Sequence, residues 1–206
     1  MLFSDPSRTD PGSIVAWHKV CESGIDRELL EAKHAVIHAR PLGTSAAEVI
    51  TPHSTLNQID AYFASSKREI EIAAILTLIA SMEARIRLDA AFRSNNSSAN
   101  GFLGGRLKIL FAKSQRTWQV PLYERGILDE WKLAGNALNT PGLAMTIGSF
   151  SDLLKIRHWT AHGRYWLLKT NLEVTTSIQA SNTILNLEKQ MNQFCAASGW
   201  APFPSR

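Results

Sequence analysis

The sequence predicts an all-α protein, an up-and-down helical bundle with a loose N-terminal arm. Three observations lead there. Apolar residues recur at steps of three and four, most clearly at Ile72, Ile75, Ile79, Met82 and Ile86, which is the period of a helix buried along one face. The segment that carries this stripe, Ser54 to Arg93, contains neither proline nor glycine. Alternation of period two is lacking everywhere except over Leu167 to Thr175.

The elements follow in order. Pro6, Pro11 and Gly12 mark residues 1–24 as an extended arm. A first helix is expected from about Asp26 to His38, with Leu29, Leu30, Ala32, Val36 and Ile37 inward, and Pro41 and Gly43 stop it. The long segment 54–93 is one helix or two in line, its polar face carrying Lys67, Arg68, Glu69, Arg85 and Arg87. Ser94 to Ser98 break it, and Gly101, Gly104 and Gly105 hold the break open. A helix over Arg106–Lys113 comes next, then one opened by Pro121. Asn139-Thr140-Pro141-Gly142 is a turn. Ser149 with Asp152 has the spacing of a capping box, opening a helix with Leu153, Leu154, Ile156 and Trp159 inward that Gly163 ends. Ser177 to Ala197 is the last helix, with Ile178, Ile184, Leu185, Leu187 and Met191 inward.

A chain of 206 residues, 45% of them hydrophobic, is long enough for one domain with its own core and short for two, so residues 1–206 read as a single domain. The net charge of +4 permits an acidic partner such as RNA without requiring one. Cys21 and Cys195 stand far apart, which suits free thiols in a reducing compartment and no disulfide framework. The start of the chain has no basic-then-apolar leader, and the run Ile72–Met82 is too short to span a bilayer. A cytoplasmic protein with no membrane partner is the expectation.

Chemistry concentrates in Lys155-Ile156-Arg157-His158-Trp159-Thr160-Ala161-His162-Gly163-Arg164-Tyr165-Trp166. Arginine carries a permanent charge and offers forked donors to phosphate oxygens. Histidine exchanges protons near neutral pH. Together they suit cleavage of an RNA strand by its own 2′-hydroxyl, a reaction that needs a base, an acid and a cation over the phosphoryl oxygens but no metal or cofactor. In the last turn of a helix, His162 meets carbonyls that favour its protonated form, as a general acid requires. Arg157 and His162 are five residues apart, about 140° around a helix, so they converge only if the long arginine stem reaches round. One histidine does not readily serve as acid and base in one step, and a second copy across a two-fold axis supplies the missing group.

Arg157-His158-Trp159-Thr160-Ala161-His162 resembles the Rx4–6H motif of the HEPN superfamily, with the polar His158 after the arginine and Ala161 and Gly163 flanking the histidine as is common there. The resemblance is sharp over about residues 150–166 and over the rest rests only on helical character and order. It implies a helical bundle that dimerises and a metal-independent endoribonuclease of toxin–antitoxin, abortive-infection or CRISPR-type defence systems, with Arg157 and His162 catalytic. Some members carry a tyrosine two residues after the motif histidine, which a nucleotidyltransferase antitoxin modifies with AMP. Here that place holds Arg164, and Tyr165 follows one residue later, a departure that puts such control in question.

Around this pair, His158 is expected to orient the site, and Arg164, Lys155, Lys169, Tyr165 and Trp166 to hold RNA by charge and by stacking. For the aromatic residues, core or dimer packing is the more frequent use. Residues 106–125, with Arg106, Lys108, Lys113, Arg116 and Arg125, form a second basic stretch that either lines the same groove or is a solvated face. Glu83 either orients the arginine or histidine from a neighbouring helix or forms an i, i+4 pair with Arg87. The bare motif is not selective: Arg27 to His34 also fits it, inside an ordinary amphipathic segment. Two rival readings stay open. One is a HEPN-like module that binds RNA or protein without cutting. The other is a zinc hydrolase using His158 and His162, four residues apart on one helix face but without an evident third ligand beyond Asp152.

Overall fold

The computed structural model describes residues 10–38, 54–114, 119–161 and 175–204. Six α-helices make up most of these: α1 (Pro11–Ile37), α2 (Leu56–Asn95), α3 (Gly101–Ala112), α4 (Ile127–Ala137), α5 (Pro141–Ala161) and α6 (Ser177–Ala197). A 3-10 turn over Ser97–Asn100 joins α2 to α3, and no strand occurs among the described residues. The chain is an all-α bundle. The possible period-two segment, 167–175, lies outside the described residues except for Thr175, as do residues 1–9 of the expected arm.

From residue 11 onward the expected arm is helix instead. Pro11 occupies the first helical position, where its missing N–H is not needed, and the Asp10 carboxylate accepts the Ser13 N–H at 2.9 Å. A proline that suggested an irregular start is a helix opener. The helix expected over residues 26–38 is thus the second half of α1. Its Leu30 and Ile37, expected inward, face solvent at 68% and 64% exposure, because α1 packs on one side only, against α2 and α6.

The long helix α2 runs close to its expected bounds. Thr55 and Gln58 form a capping box, the Thr55 N–H donating to Gln58 Oε1 at 2.8 Å and the Gln58 N–H to Thr55 Oγ1 at 3.3 Å. The three glycines expected to hold a break open lie inside α3. Gly104 is there because α3 crosses the preceding turn closely: a Cβ would come within 2.8 Å of the Ser97 Cα.

Pro121 does not open α4. The chain first makes a tight turn with Glu124 and Arg125 in the left-handed region (φ 56° and 68°), and the N–H groups of Ile127 and Leu128 donate back to the Pro121 and Leu122 carbonyls at 2.9 and 2.8 Å. Those bonds occupy the positions a helix from Pro121 would need. Likewise Ser149 is mid-helix and donates its hydroxyl to the Met145 carbonyl. The helix already starts at Pro141, after Asn139 (φ 52°) has turned the chain, and Leu143, Ile147 and Phe150 carry its apolar face through Ser149.

Contacts between helices fix their directions. Lys33 pairs with Asp60, Lys67 with Asp26 and His18 with Glu71, so α1 runs antiparallel to α2. Along α6, Ser177 meets Glu71, Glu188 meets Arg85 and Cys195 meets Arg93, so α6 runs parallel to α2. Gly142 at the start of α5 lies beside Gln190 of α6, and Arg157 near the end of α5 reaches Glu83 of α2. α2 touches every other helix and is the axis of the bundle. Its Ile75, Leu78, Ile79, Met82 and Ile86 are fully buried with Trp131, Phe150 and Phe194, each such side chain contributing about 1.5–3 kcal/mol. On α6, Ile184, Leu187 and Met191 are inward as expected, but Ile178 and Leu185 are exposed.

Two arginines of α2 are core residues. Arg85, expected on the polar face, is 2% exposed, paired with Glu188 at 3.0 Å and stacked over Phe203. Arg93 is fully enclosed. Its Nε donates to both Asp89 oxygens at 3.0 and 2.9 Å, Nη1 to Asn100 at 2.9 Å, and Nη2 to Cys195 Sγ at 3.1 Å and the Ala201 carbonyl at 2.9 Å. Burial pushes the Asp89 carboxyl up to about 6 against the pull of Arg93, and the Cys195 thiol up to about 11.

Candidate functional site

The motif begins at the C-terminal end of α5. Leu153, Leu154 and Ile156 are buried there and fix which way the helix faces. With those residues inward, Arg157 and His158 point to solvent, while Trp159 and Thr160 are half-buried. Thr160 donates its hydroxyl to the Ile156 carbonyl at 2.9 Å. The Arg157 side chain retains 52% of its exposure, open enough to meet a ligand.

The neighbour of Arg157 is Glu83 on α2. Arg157 Nη1 lies 2.8 Å from Glu83 Oε2. Arg87, one turn along α2, donates its Nε to Glu83 Oε1 at 3.0 Å and its Nη1 to the Val120 carbonyl at 2.8 Å. Glu83 thus makes the i, i+4 pair with Arg87 and also contacts the motif arginine. The two contacts differ in kind. The Arg87 contact is an aligned hydrogen bond, whereas Oε2 is a buried oxygen that no hydrogen bond reaches among the described residues, so Arg157 is its counter-ion by proximity alone. Through Arg87, the same carboxylate ties α5 to the segment that leads into α4. Two cations share one anion, and the cluster carries a net charge of +1.

Other expected site residues divide as follows. Lys155 is exposed and pairs with Asp152 at 2.6 Å, an i, i+3 surface pair of small energetic worth. His158 is exposed on the outer side of α5. His162, Arg164, Tyr165, Trp166 and Lys169 lie outside the described residues. In the second basic stretch, Lys108, Lys113 and Arg125 are exposed, Arg106 pairs with Glu130 on α4, and Arg116 lies outside the described residues. Among the described residues, no three His, Cys, Asp or Glu side chains gather as a metal-ligand set. No described helix is long and apolar enough to cross a membrane.

Sequence reasoning passed over a second polar junction. Glu71 on α2 receives the His18 imidazole from α1, and both the backbone N–H and the hydroxyl of Ser177 at the start of α6, the hydroxyl at 3.2 Å. A cleft of about 410 Å³ opens beside it, lined by Lys19, Lys67, Arg68 and Thr176 among others. Glu71 fills the place at the α6 N-terminus that an anion would take, so this junction is a cap borrowed from another helix. His18 falls in the segment expected to be an extended arm, and nothing in the local sequence points to its partner.

Comparison with protein-family models, characterised proteins and solved structures finds no match to this chain.

Proposed function

We propose that this protein is a metal-independent endoribonuclease of HEPN type that acts on single-stranded RNA in a toxin–antitoxin or phage-defence setting. The observation that carries the reading is a solvent-facing Arg157 near the end of α5, five residues before His162, in a bundle whose described elements are helices. The ribose 2′-oxygen attacks the adjacent phosphorus and forms the new P–O bond as the bond to the 5′-oxygen breaks. The 2′-proton passes to a base and the leaving 5′-oxygen receives one from an acid. Products are a 2′,3′-cyclic phosphate and a 5′-hydroxyl.

Arg157 offsets the charge that gathers on the phosphoryl oxygens, and His162 moves protons. A homodimer brings the second imidazole. His158 orients the site, and Arg164, Lys155, Lys169, Tyr165 and Trp166 hold the strand. An antitoxin protein, of the nucleotidyltransferase type or another, restrains activity.

The test is purified protein and RNA in excess EDTA. Fragments with cyclic-phosphate ends are expected, and a single 2′-deoxy sugar at the cut site protects that bond. Intact RNA overturns the proposal. One observation favours a binding module that does not cut: the Arg157–Glu83 pair also serves as a plain structural bridge between α5 and α2. That reading expects RNA to be bound and left whole.

A further inference from the structure

Glu83 holds two guanidinium groups unequally, and the inequality suggests a role. Its Oε1 accepts an aligned bond from Arg87, which is itself anchored on the Val120 carbonyl. Its Oε2 is buried and meets Arg157 without hydrogen-bond geometry. The Glu83 side chain is 13% exposed, against 52% for Arg157. The carboxylate is the buried, doubly engaged member of the cluster, and the Arg157 guanidinium is its exposed end. A guanidinium presents five N–H donors, so engaging one edge leaves others for a phosphate.

We infer that Glu83 is a positioning residue of the proposed nuclease: it aims the Arg157 guanidinium and at the same time weakens that group's hold on the ground-state phosphodiester. Aiming lowers the entropy lost on reaching the transition state. The nearby negative charge repels the phosphate before and during reaction, so binding is held back, and cleavage gains only through the aim. Arg87 matters because it keeps the buried carboxylate partnered whenever Arg157 tilts toward the strand; a buried anion left alone is costly.

The inference rests on the nuclease reading and predicts changes of opposite sign. Glu83→Gln keeps the shape and the contact with Arg87 but removes the charge. It is expected to bind an RNA oligonucleotide with a 2′-deoxy sugar at the cut site about fivefold more tightly, the worth of one partly exposed ion pair. It is expected to turn over cleavable RNA roughly tenfold more slowly, as the aim is lost. The affinity gain shrinks in high salt. A merely structural glutamate would lower affinity and turnover together.

Glu83→Asp keeps the charge but draws it back by one methylene; affinity stays at the wild-type value while turnover falls. Should Glu83→Gln fail to fold by circular dichroism, Glu83→Asp carries the test alone. Wild-type protein that leaves RNA intact overturns the nuclease reading and this inference with it. Wild-type protein that cuts, with Glu83→Gln binding no tighter or turning over no slower, overturns the inference and leaves the nuclease reading standing. If only Glu83→Asp folds, wild-type turnover in that variant does the same.

Discussion

At the scale of single residues, the molecule contains arginines with opposite assignments. Arg93 has its donors taken up by Asp89, Asn100, Cys195 and Ala201 and lies over the Trp131 ring, so it is committed to structure. Arg157 leans on one carboxylate and faces solvent. The two should respond differently to removal. Asp89→Ala leaves the Arg93 charge buried without its main partner and is expected to cost about 3–5 kcal/mol in urea unfolding. Arg157→Ala is expected to leave the melting temperature within about 2 °C of wild type, since a half-exposed ion pair contributes little. In the same variant, RNA cleavage should fall by on the order of a thousandfold if the guanidinium offsets phosphoryl charge.

Cys195 gives a residue-scale check of the core. Burial raises its thiol to about 11 from an ordinary value near 9. Below about pH 9 the thiol is protonated in both folded and unfolded chains, and its contribution to stability is fully present. As the pH rises toward 11 the unfolded chain ionises first, and that contribution is lost. At pH 8, a thiol reagent is expected to label Cys21, which is only partly covered, while Cys195 reacts only after urea is added. Rapid labelling of both in native protein would contradict the burial.

At the scale of elements, helix starts separate into those written locally and those set by the surroundings. Thr55–Gln58 and Thr176–Gln179 are capping boxes formed by neighbours in sequence, and α2 and α6 lie close to where periodicity puts them. α4 starts instead where a loop folds back on itself. A Cβ on Gly126 would run into the Pro121 carbonyl, which accepts the Ile127 N–H. Gly126→Ala is therefore expected to cost about 2 kcal/mol or more, read as a lower urea midpoint with unchanged slope. The Arg87 donor on the Val120 carbonyl belongs to the same turn, so this substitution should also disturb the Glu83 cluster and lower cleavage. At α1, Asp10→Ala removes a cap, and a loss of about 1 kcal/mol is expected together with faster amide exchange in the first turn.

At the scale of the whole molecule, the parallel course of α6 along α2 is what brings Glu71, Arg85 and Arg93 to their partners. α5 carries Arg157 to Glu83. The proposed dimer makes a whole-molecule prediction: specific activity per chain falls on dilution below the dissociation constant, in step with the mass seen by light scattering. Activity that stays constant while the mass halves would show that one chain suffices and that the second imidazole is not needed.

The local physics of the chain was enough to determine its class and its long helices, because apolar period, capping residues and proline act over a few neighbours. The same physics misread Pro11, Pro121 and Ser149, where one residue type serves both to open a helix and to interrupt one, and only the finished packing separates the two uses. Arg157 could be picked out by its chemistry alone. That Glu83 stands beneath it, that Arg87 completes the cluster, and that Arg85 and Arg93 turn inward depend on how α2 crosses α5 and α6. The Arg87–Glu83 and Arg93–Asp89 pairs are local i, i+4 contacts, the first of them expected from spacing. Arg157–Glu83 and Arg85–Glu188 are pairings between residues far apart in the chain that no local pattern brings together. They exist because burying the apolar stripe of α2 fixes the rotation of that helix, and with it the direction in which every charged side chain on it must point.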